Sequence, residues 1–424
     1  MTQSPDVIVI GAGIAGLTAA RDLCAAGARV TIVEARERVG GRIHTDQSLG
    51  YPVELGAEFI HGRPREIFDL VEKFGLPVVE VEGAFCEYRD GKWMQAGEFW
   101  EQIESLFSKI PTDGPDQSFL EFLNHVDADE RVKERAPGFV EGFHAADPSR
   151  VSAHSIAKSN AAEEAIDGDS QFRFAHGYDG LVHCVAKSID RHRCDLLLNT
   201  AVTEILWKAG EVRVKTAAST EFVAARAVIT LPLGVLKSGT VGFTPELPAE
   251  KQRSLNGLEM GPVIRASLAF HDKFWAEGPG LKDLSFLFTD DQRFPTWWTS
   301  NPLPYPLITG WAAGHFAQNL SGCGRECVVS RALETLAEIF ALDANALRQQ
   351  LASGFSHDWY SDPFSRGAYS YILRGADKAE DGLAASVSNT LFFAGEATDN
   401  RGHNGTVHGA IFSGERAARE ILAR

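Results

Sequence analysis

The chain has 424 residues, with 41 basic against 57 acidic side chains and a formal charge of −16. A single core stops growing near ~250–300 residues, so two cores are expected; 44% apolar residues, 23% charge and 40 glycines describe a globular protein rich in tight turns. The acidic balance argues against phosphate-backbone partners and suits a cationic ligand, and no run reaches the ~18 apolar residues of a membrane span.

In chain order, residues 6–10 ("DVIVI") read as an apolar strand and "GIAGLTAARDLCAAG" as a helix stopped by Gly27, with "RVTIVE" the second strand. Helical spacing recurs at 65–75 and 98–110, and polar, Ala- and acid-rich helices fill 116–165. "GYDGLVHCVAKSI" reads as a loop and helix, followed by strands at 196–206, 211–216 and 222–230, where Pro232 breaks the pattern. Residues 263–270, 283–289 and 306–311 read as strands, 325–341 as a helix, "TLFFAGE" as a last parallel-type strand and 406–422 as a last helix. Six cysteines, at 24, 86, 184, 194, 323 and 327, lack paired ligand spacing, so no metal site is expected and free thiols are. Free thiols and a first strand entered by about Val7 together suggest a cytoplasmic protein without a signal peptide.

Gly11, Gly13 and Gly16 form G-x-G-x-x-G between strand and helix. The first glycine permits the tight turn, the second lets backbone approach a pyrophosphate, and the third lets helix and strand pack closely. The helix N-terminus, beginning with Ile14 and Ala15, adds free N–H groups and about half a positive charge. Glu34 closes the second strand where a carboxylate can bind ribose hydroxyls, and it repels the 2′-phosphate of NADP. Ala35, Arg36, Arg38, Gly40, Gly41 and Arg42 follow at once, and a second glycine pair with a guanidinium points to further contacts on the same pyrophosphate. Arg38 reads better as a solvated turn residue. A second glycine-rich turn, "AGEATDNRGHNGTVHG", lies at the far end of the chain, and both turns can face one long ligand if they belong to one sheet.

Together "IVIGAGIAGLTAARDL", "VEARERVGGR", "ELGAEFIHG" and "LFFAGEAT…GTVHGAIFSGERAAREIL" resemble the flavin-containing amine oxidases, which include monoamine oxidases, polyamine oxidases and lysine-specific histone demethylases. The resemblance spans the whole chain and implies an α/β fold. Its Rossmann-like FAD-binding domain (1–80, 172–255 and 358–424) is interleaved with an α+β substrate-binding domain (81–171 and 256–357). It implies hydride transfer to FAD from the carbon beside an amine nitrogen, hydrolysis of the imine, and reduction of O₂ to H₂O₂.

By the same resemblance, Gly395 and Glu396 meet the ribityl–pyrophosphate end. Thr406 and Val407 present backbone N–H groups to the flavin's pyrimidine edge, and Gly56, Ala57, Glu58 and Phe59 run along the ring. Trp359 belongs to the cofactor wall. Val202 matches a position whose backbone reads adenine and reads equally as an ordinary strand residue. Ala368 stands where monoamine oxidases carry the cysteine that bonds FAD, which implies a noncovalent cofactor as in the polyamine oxidases and demethylases. Tyr369 matches one wall of an aromatic box that can orient an amine; the opposite wall aligns with Thr406, which implies a wider site. Arg265 occupies the position of a lysine that holds water against the flavin, and an arginine there is not a conservative exchange. His61 falls where relatives place a substrate-facing His or acid.

The expected reaction is therefore FAD-dependent oxidation of a polyamine-like or other alkyl amine with O₂ as acceptor, with Arg265, Tyr369, His61 and Thr406 as candidate catalytic residues. The alternatives are an L-amino-acid oxidase, with Arg366 or Arg265 clamping the carboxylate, and an amine dehydrogenase that uses O₂ poorly. The acidic stretch 160–174 could line an entrance for polycations, but a solvated helix face is the favoured reading.

Overall fold

The computed structural model describes residues 4–423. Its first unit is a five-stranded, all-parallel sheet in the order Cys194–Leu197, Val30–Val33, Val7–Ile10, Arg226–Ile229, Leu391–Phe393. Chain segments from the start, middle and end therefore meet side by side, as the two glycine turns require. The strand Val7–Ile10 is buried on both faces, which explains why it reads as an unbroken apolar run rather than an alternating one. The first helix, Ile14–Ala25, packs against the closing helix, Val407–Leu422. Gly27, at φ +99°, ends the first helix as its sequence position suggests.

The second unit is a seven-stranded sheet, largely antiparallel, ordered Leu351–Asp358, Val263–Phe270, Leu307–Ala313, Thr296–Thr299, Leu284–Thr289, Ala84–Arg89, Lys92–Gln95. The helix Arg325–Ile339 covers it, burying Val328, Ala332, Leu333 and Leu336. The helices Phe119–His125, Glu130–His144 and Ala153–Glu164 form a separate core with Phe107, Phe119 and Val140.

Several expectations need correction. Residues 196–206 are not one strand: Cys194–Leu197 ends in the parallel sheet, Asn199 turns the chain at φ +52°, and Val202–Lys208 joins a separate antiparallel sheet. Likewise 222–230 divides into Glu221–Ala224 and Arg226–Ile229, which belong to two different sheets. An apolar run carries no mark of such a corner, because only the partner strands define it. Strands at Ala84–Arg89, Thr296–Thr299 and Leu351–Asp358 had no strand reading; the first and last are held by pairing across long sequence distances, and Thr296–Thr299 by its antiparallel neighbours on either side. Cys323 and Cys327 are joined in a disulfide, which overturns the expectation of six free thiols; Cys24, Cys86, Cys184 and Cys194 are free. The compartment reading that leaned on free thiols loses that support. Among the described residues no helix is long and apolar enough to cross a membrane.

Candidate active site

A cavity of about 850 Å³ runs from the parallel sheet to the antiparallel one. Every residue expected of the cofactor and substrate site lines it except Gly16. A Cβ on Gly16 would press on the Val9 side chain at 3.1 Å and on the Gly11 carbonyl, so this glycine serves helix–strand packing.

At the sheet end the backbone is shaped as a cradle. Gly11 sits at φ +105°, where a side chain is strained and a Cβ would meet Thr230 Oγ1 at 2.5 Å. Beside Gly13 there is open space, and it caps the first helix with no side-chain hydrogen bond, leaving the first N–H groups of that helix available. Glu34 accepts from Ala12 N (2.7 Å) and Arg36 N (2.9 Å), one bond per carboxylate oxygen, so each oxygen retains acceptor capacity for a hydroxyl. Across the cavity the closing helix begins at Val407. Thr406 caps it, accepting from Gly409 N at 3.0 Å and donating to His403 O at 2.6 Å. Among the described residues the N–H groups of Val407 and His408 have no partner. Two helix starts thus aim unpaired donors into one cavity, a setting suited to a long ligand with a pyrophosphate in the middle and an electron-accepting ring at one end.

The structure revises three expected roles. Arg36 lines the cavity with its guanidinium engaged inside the chain: it holds Asp362 bidentately (3.0 and 2.7 Å) and Ser365 Oγ at 3.0 Å. Arg38 is not solvated; its guanidinium donates to the carbonyls of Val39, Gly41 and Ile43, and burial draws its pKa down to about 10. It fixes the turn that carries Gly40 and Gly41. Thr406 has both hydroxyl functions committed to the helix cap, so a catalytic role for that hydroxyl is withdrawn.

Glu396 is 5% exposed and fully engaged: Oε1 pairs with Arg42 (2.8 Å), while Oε2 accepts from Ser370 Oγ (2.6 Å) and Gly405 N (2.8 Å). Arg42 also donates to Ala368 O. One carboxylate thereby ties the second glycine turn to the closing one. Arg366 lines the cavity with its Nε–H unpartnered and no ion pair among the described residues. It lies four residues beyond Asp362, which holds Arg36, and so supplies the cofactor end with a free cation.

Farther along, Arg265 is 1% exposed. Its Nη1 donates to Gly56 O at 2.8 Å, and its Nη2 pairs with Glu58, whose other oxygen lies 3.2 Å from Arg173 Nη1. This buried Arg–Glu–Arg arrangement joins three distant chain segments and leaves the Nε–H of Arg265 without an acceptor. The Arg265 guanidinium lies 5.5 Å from the Trp298 ring centroid, and Arg173 lies 4.7 Å from that of Phe59. Trp359 donates from its indole to Leu55 O at 2.8 Å, holding the loop before Gly56. Val202 lines the cavity from a strand paired to Thr216, and its backbone role stays as open as in the sequence.

Tyr369 donates to Phe143 O at 2.6 Å, which fixes its ring, and burial raises its pKa. No second aromatic faces it from position 406; Trp298, Trp311 and Phe286 of the antiparallel sheet, with Phe59 of the preceding loop, furnish the apolar wall. His61 packs edge-on to Phe143 at 5.6 Å, and burial draws its pKa down to about 4, so it is neutral at pH 7. His144 and His408 also line the cavity and are held neutral by burial. Phe143 and His144 come from a helix in which sequence periodicity gave no site signal.

The parallel sheet, the twin helix starts and the apolar far end define a dinucleotide-dependent oxidoreductase with an adjoining substrate chamber. The chain belongs to the flavin-containing amine oxidoreductase family, whose profile matches residues 14–117 and 94–422. It is 31% identical to polyamine oxidase 2 of Arabidopsis thaliana over 100% of this chain and 89% of the relative, and 31% identical to polyamine oxidase 5 of Oryza sativa subsp. japonica over 98% and 87%. Putrescine oxidase bound to putrescine matches with a TM-score of 0.83 at 22% identity over 100% of both chains, which shows the shared fold. The protein is thus a flavin-dependent oxidoreductase acting on amine donors.

Proposed function

We propose that the protein oxidises a polyamine-like or other alkyl amine, with FAD held noncovalently and O₂ as the electron acceptor. The observation that carries this reading is a single cavity joining a dinucleotide cradle to an aromatic-walled chamber that includes the unpaired Glu163 carboxylate. FAD bound in the cradle supplies a two-electron acceptor for the C–H bond beside an amine nitrogen. The chain's own residues do the rest. Gly13, Glu34 and the Val407–His408 N–H groups would hold the cofactor's phosphate, ribose and ring ends. Ala368 offers no thiol for a covalent bond. Tyr369 holds its ring rigid as a surface over which an amine can be oriented, and the clustered indoles and phenyl rings exclude water.

Arg265 differs from the lysine that the resemblance puts at its position. A lysine there is a compact, mobile ammonium able to hold a water. Arg265 is locked by Glu58 and the Gly56 carbonyl, with its Nε–H left without an acceptor. Slow use of O₂ is the consequence we attach to this. Arg265 is equally unsuited to clamp a substrate carboxylate, since its paired N–H groups are already engaged, and the polyamine oxidase relatives do not favour an L-amino-acid substrate.

The test is anaerobic titration of the purified protein with spermine, spermidine, benzylamine and several L-amino acids. Bleaching by the polyamines supports the reading, bleaching only by amino acids reverses it, and readmission of air measures O₂ use. Acid precipitation that releases the flavin into the supernatant supports noncovalent binding.

A further inference from the structure

The helix Ala153–Glu164 sends Ser155, Ser159 and Glu163 to the cavity wall. These positions are spaced four residues apart, so one face of the helix fronts the chamber for its whole length. Ser152 and Ser155 occupy each other at the N-terminal end, where Ser155 N donates to Ser152 Oγ at 3.0 Å and Ser155 Oγ to Ser152 O at 2.7 Å. At the C-terminal end Glu163 stands alone. Among the described residues no Lys, Arg or His pairs with its carboxylate. Lys158, the cation of this helix, is turned to Glu380 at 3.1 Å, and Asn160 is turned to Glu164 at 2.9 Å.

The backbone past Glu163 is pinned to the chamber. Ile166 N and Gly168 N return to Glu163 O at 3.0 and 2.9 Å, Arg63 N donates to Ile166 O at 2.5 Å, and Gly62 N donates to Ser170 O at 2.8 Å. Gln171 then pairs with His61 across adjacent strands. Its side-chain carbonyl is buried with no donor, and it too lines the cavity. A chain of contacts leads from here to the reacting end: Gln171 to His61 by strand pairing, His61 to Phe143 by ring contact, Phe143 O to the Tyr369 hydroxyl.

Two unpaired acceptors therefore stand on this stretch of wall, the Glu163 carboxylate and the Gln171 carbonyl, beside the neutral imidazole of His61. A buried acceptor without a donor costs about 1–3 kcal/mol, and more when charged, so these two acceptors are complementary to a ligand group that brings donors and positive charge. Resting on the amine-oxidation reading above, we propose that Glu163 and Gln171 form a distal ammonium subsite that seats the non-reacting nitrogen of a diamine or polyamine. Acidic neighbours add to the field: Asp169 lies near Glu163, and Glu104, on the helix Gly97–Phe107, lies near Asp169, Glu101 and Glu164. Burial raises Glu163 to about 7, so the anion forms only as the pH rises through neutrality, whereas His61 stays neutral throughout.

The test compares putrescine with n-butylamine, which has the same carbon chain and one nitrogen, on wild-type holoenzyme and on Glu163→Gln. The expected result is a tenfold or greater loss of kcat/KM for putrescine, carried by KM, with n-butylamine changed less than twofold. The wild-type preference for putrescine should grow as pH rises from 6 to 8, and Glu163→Gln should abolish that growth. Ionisation common to both amines cancels in the ratio. Glu163→Asp, which keeps the charge, should retain a preference that Gln loses, and this separates a charged subsite from a packing defect. If both amines bleach the flavin yet Glu163→Gln affects them equally, or affects neither, the subsite is overturned while amine oxidation stands. If no amine bleaches the wild-type flavin, the amine reading fails and the subsite with it.

Discussion

The two ends of the cavity are finished differently. At the cofactor end nearly every charge is answered within the chain: Glu34 by two backbone N–H groups, Arg36 by Asp362, Arg42 by Glu396, and Glu396 further by Ser370 and Gly405. The donors left over are those of two helix starts and Arg366. At the substrate end the leftovers include two acceptors, Glu163 and Gln171. Between the ends lies Arg265–Glu58–Arg173, buried and self-contained. The lesson is one of complementarity: spare donors await an anionic cofactor, and spare acceptors await a cationic substrate.

The comparison breaks first at the cradle. Gly11→Val forces a branched side chain into φ +105° and against Thr230. Strain of about 1–3 kcal/mol with added overlap should weaken flavin binding a hundredfold or more, read as a purified protein without visible flavin absorbance. Next comes the middle. Glu58→Ala strands two buried guanidinium groups and should cost about 3–5 kcal/mol, read as a lowered denaturation midpoint with unchanged slope. Arg265→Lys should instead raise the rate of flavin reoxidation by O₂ about tenfold, measured by stopped flow after anaerobic reduction; an unchanged rate removes Arg265 from that step.

How far these features could be read in advance follows from how local they are. Gly11, Gly13, Gly16 and Glu34 lie within one strand–helix–strand unit whose spacing encodes its own geometry, and the strand 263–270 matches residue for residue. The Arg265–Glu58–Arg173 group joins residues more than a hundred positions apart, so no pattern could announce it. The pairing of Arg36 with Asp362 bridges 326 residues and leaves no mark in the local pattern around Arg36. Glu163 was visible as an acid on a helix, but whether that face meets water or a chamber depends on what packs beside it.

Two smaller effects sharpen the picture. Tyr369→Phe removes the bond to Phe143 O, about 1 kcal/mol, and should lower the melting temperature by a few degrees with kcat changed less than the melting shift would suggest for a catalytic hydroxyl. Glu54, buried and hydrogen-bonded by Thr45 Oγ1 (2.6 Å) and Tyr178 N (2.7 Å), is raised by burial to about 8. Its folded pKa exceeds the unfolded value, so its contribution is present in full below the ordinary glutamate range and is lost as pH rises toward 8. Glu54→Gln should therefore flatten the fall in melting temperature between pH 5 and 8.

The central claim is that one extended flavin lies between the two glycine turns with an amine at its ring end. Anaerobic addition of spermidine to the purified protein tests it most directly. The account expects a yellow protein whose visible flavin absorbance bleaches on mixing. A colourless protein, a nicotinamide recovered from the cleft, or a flavin left untouched by every amine would contradict it.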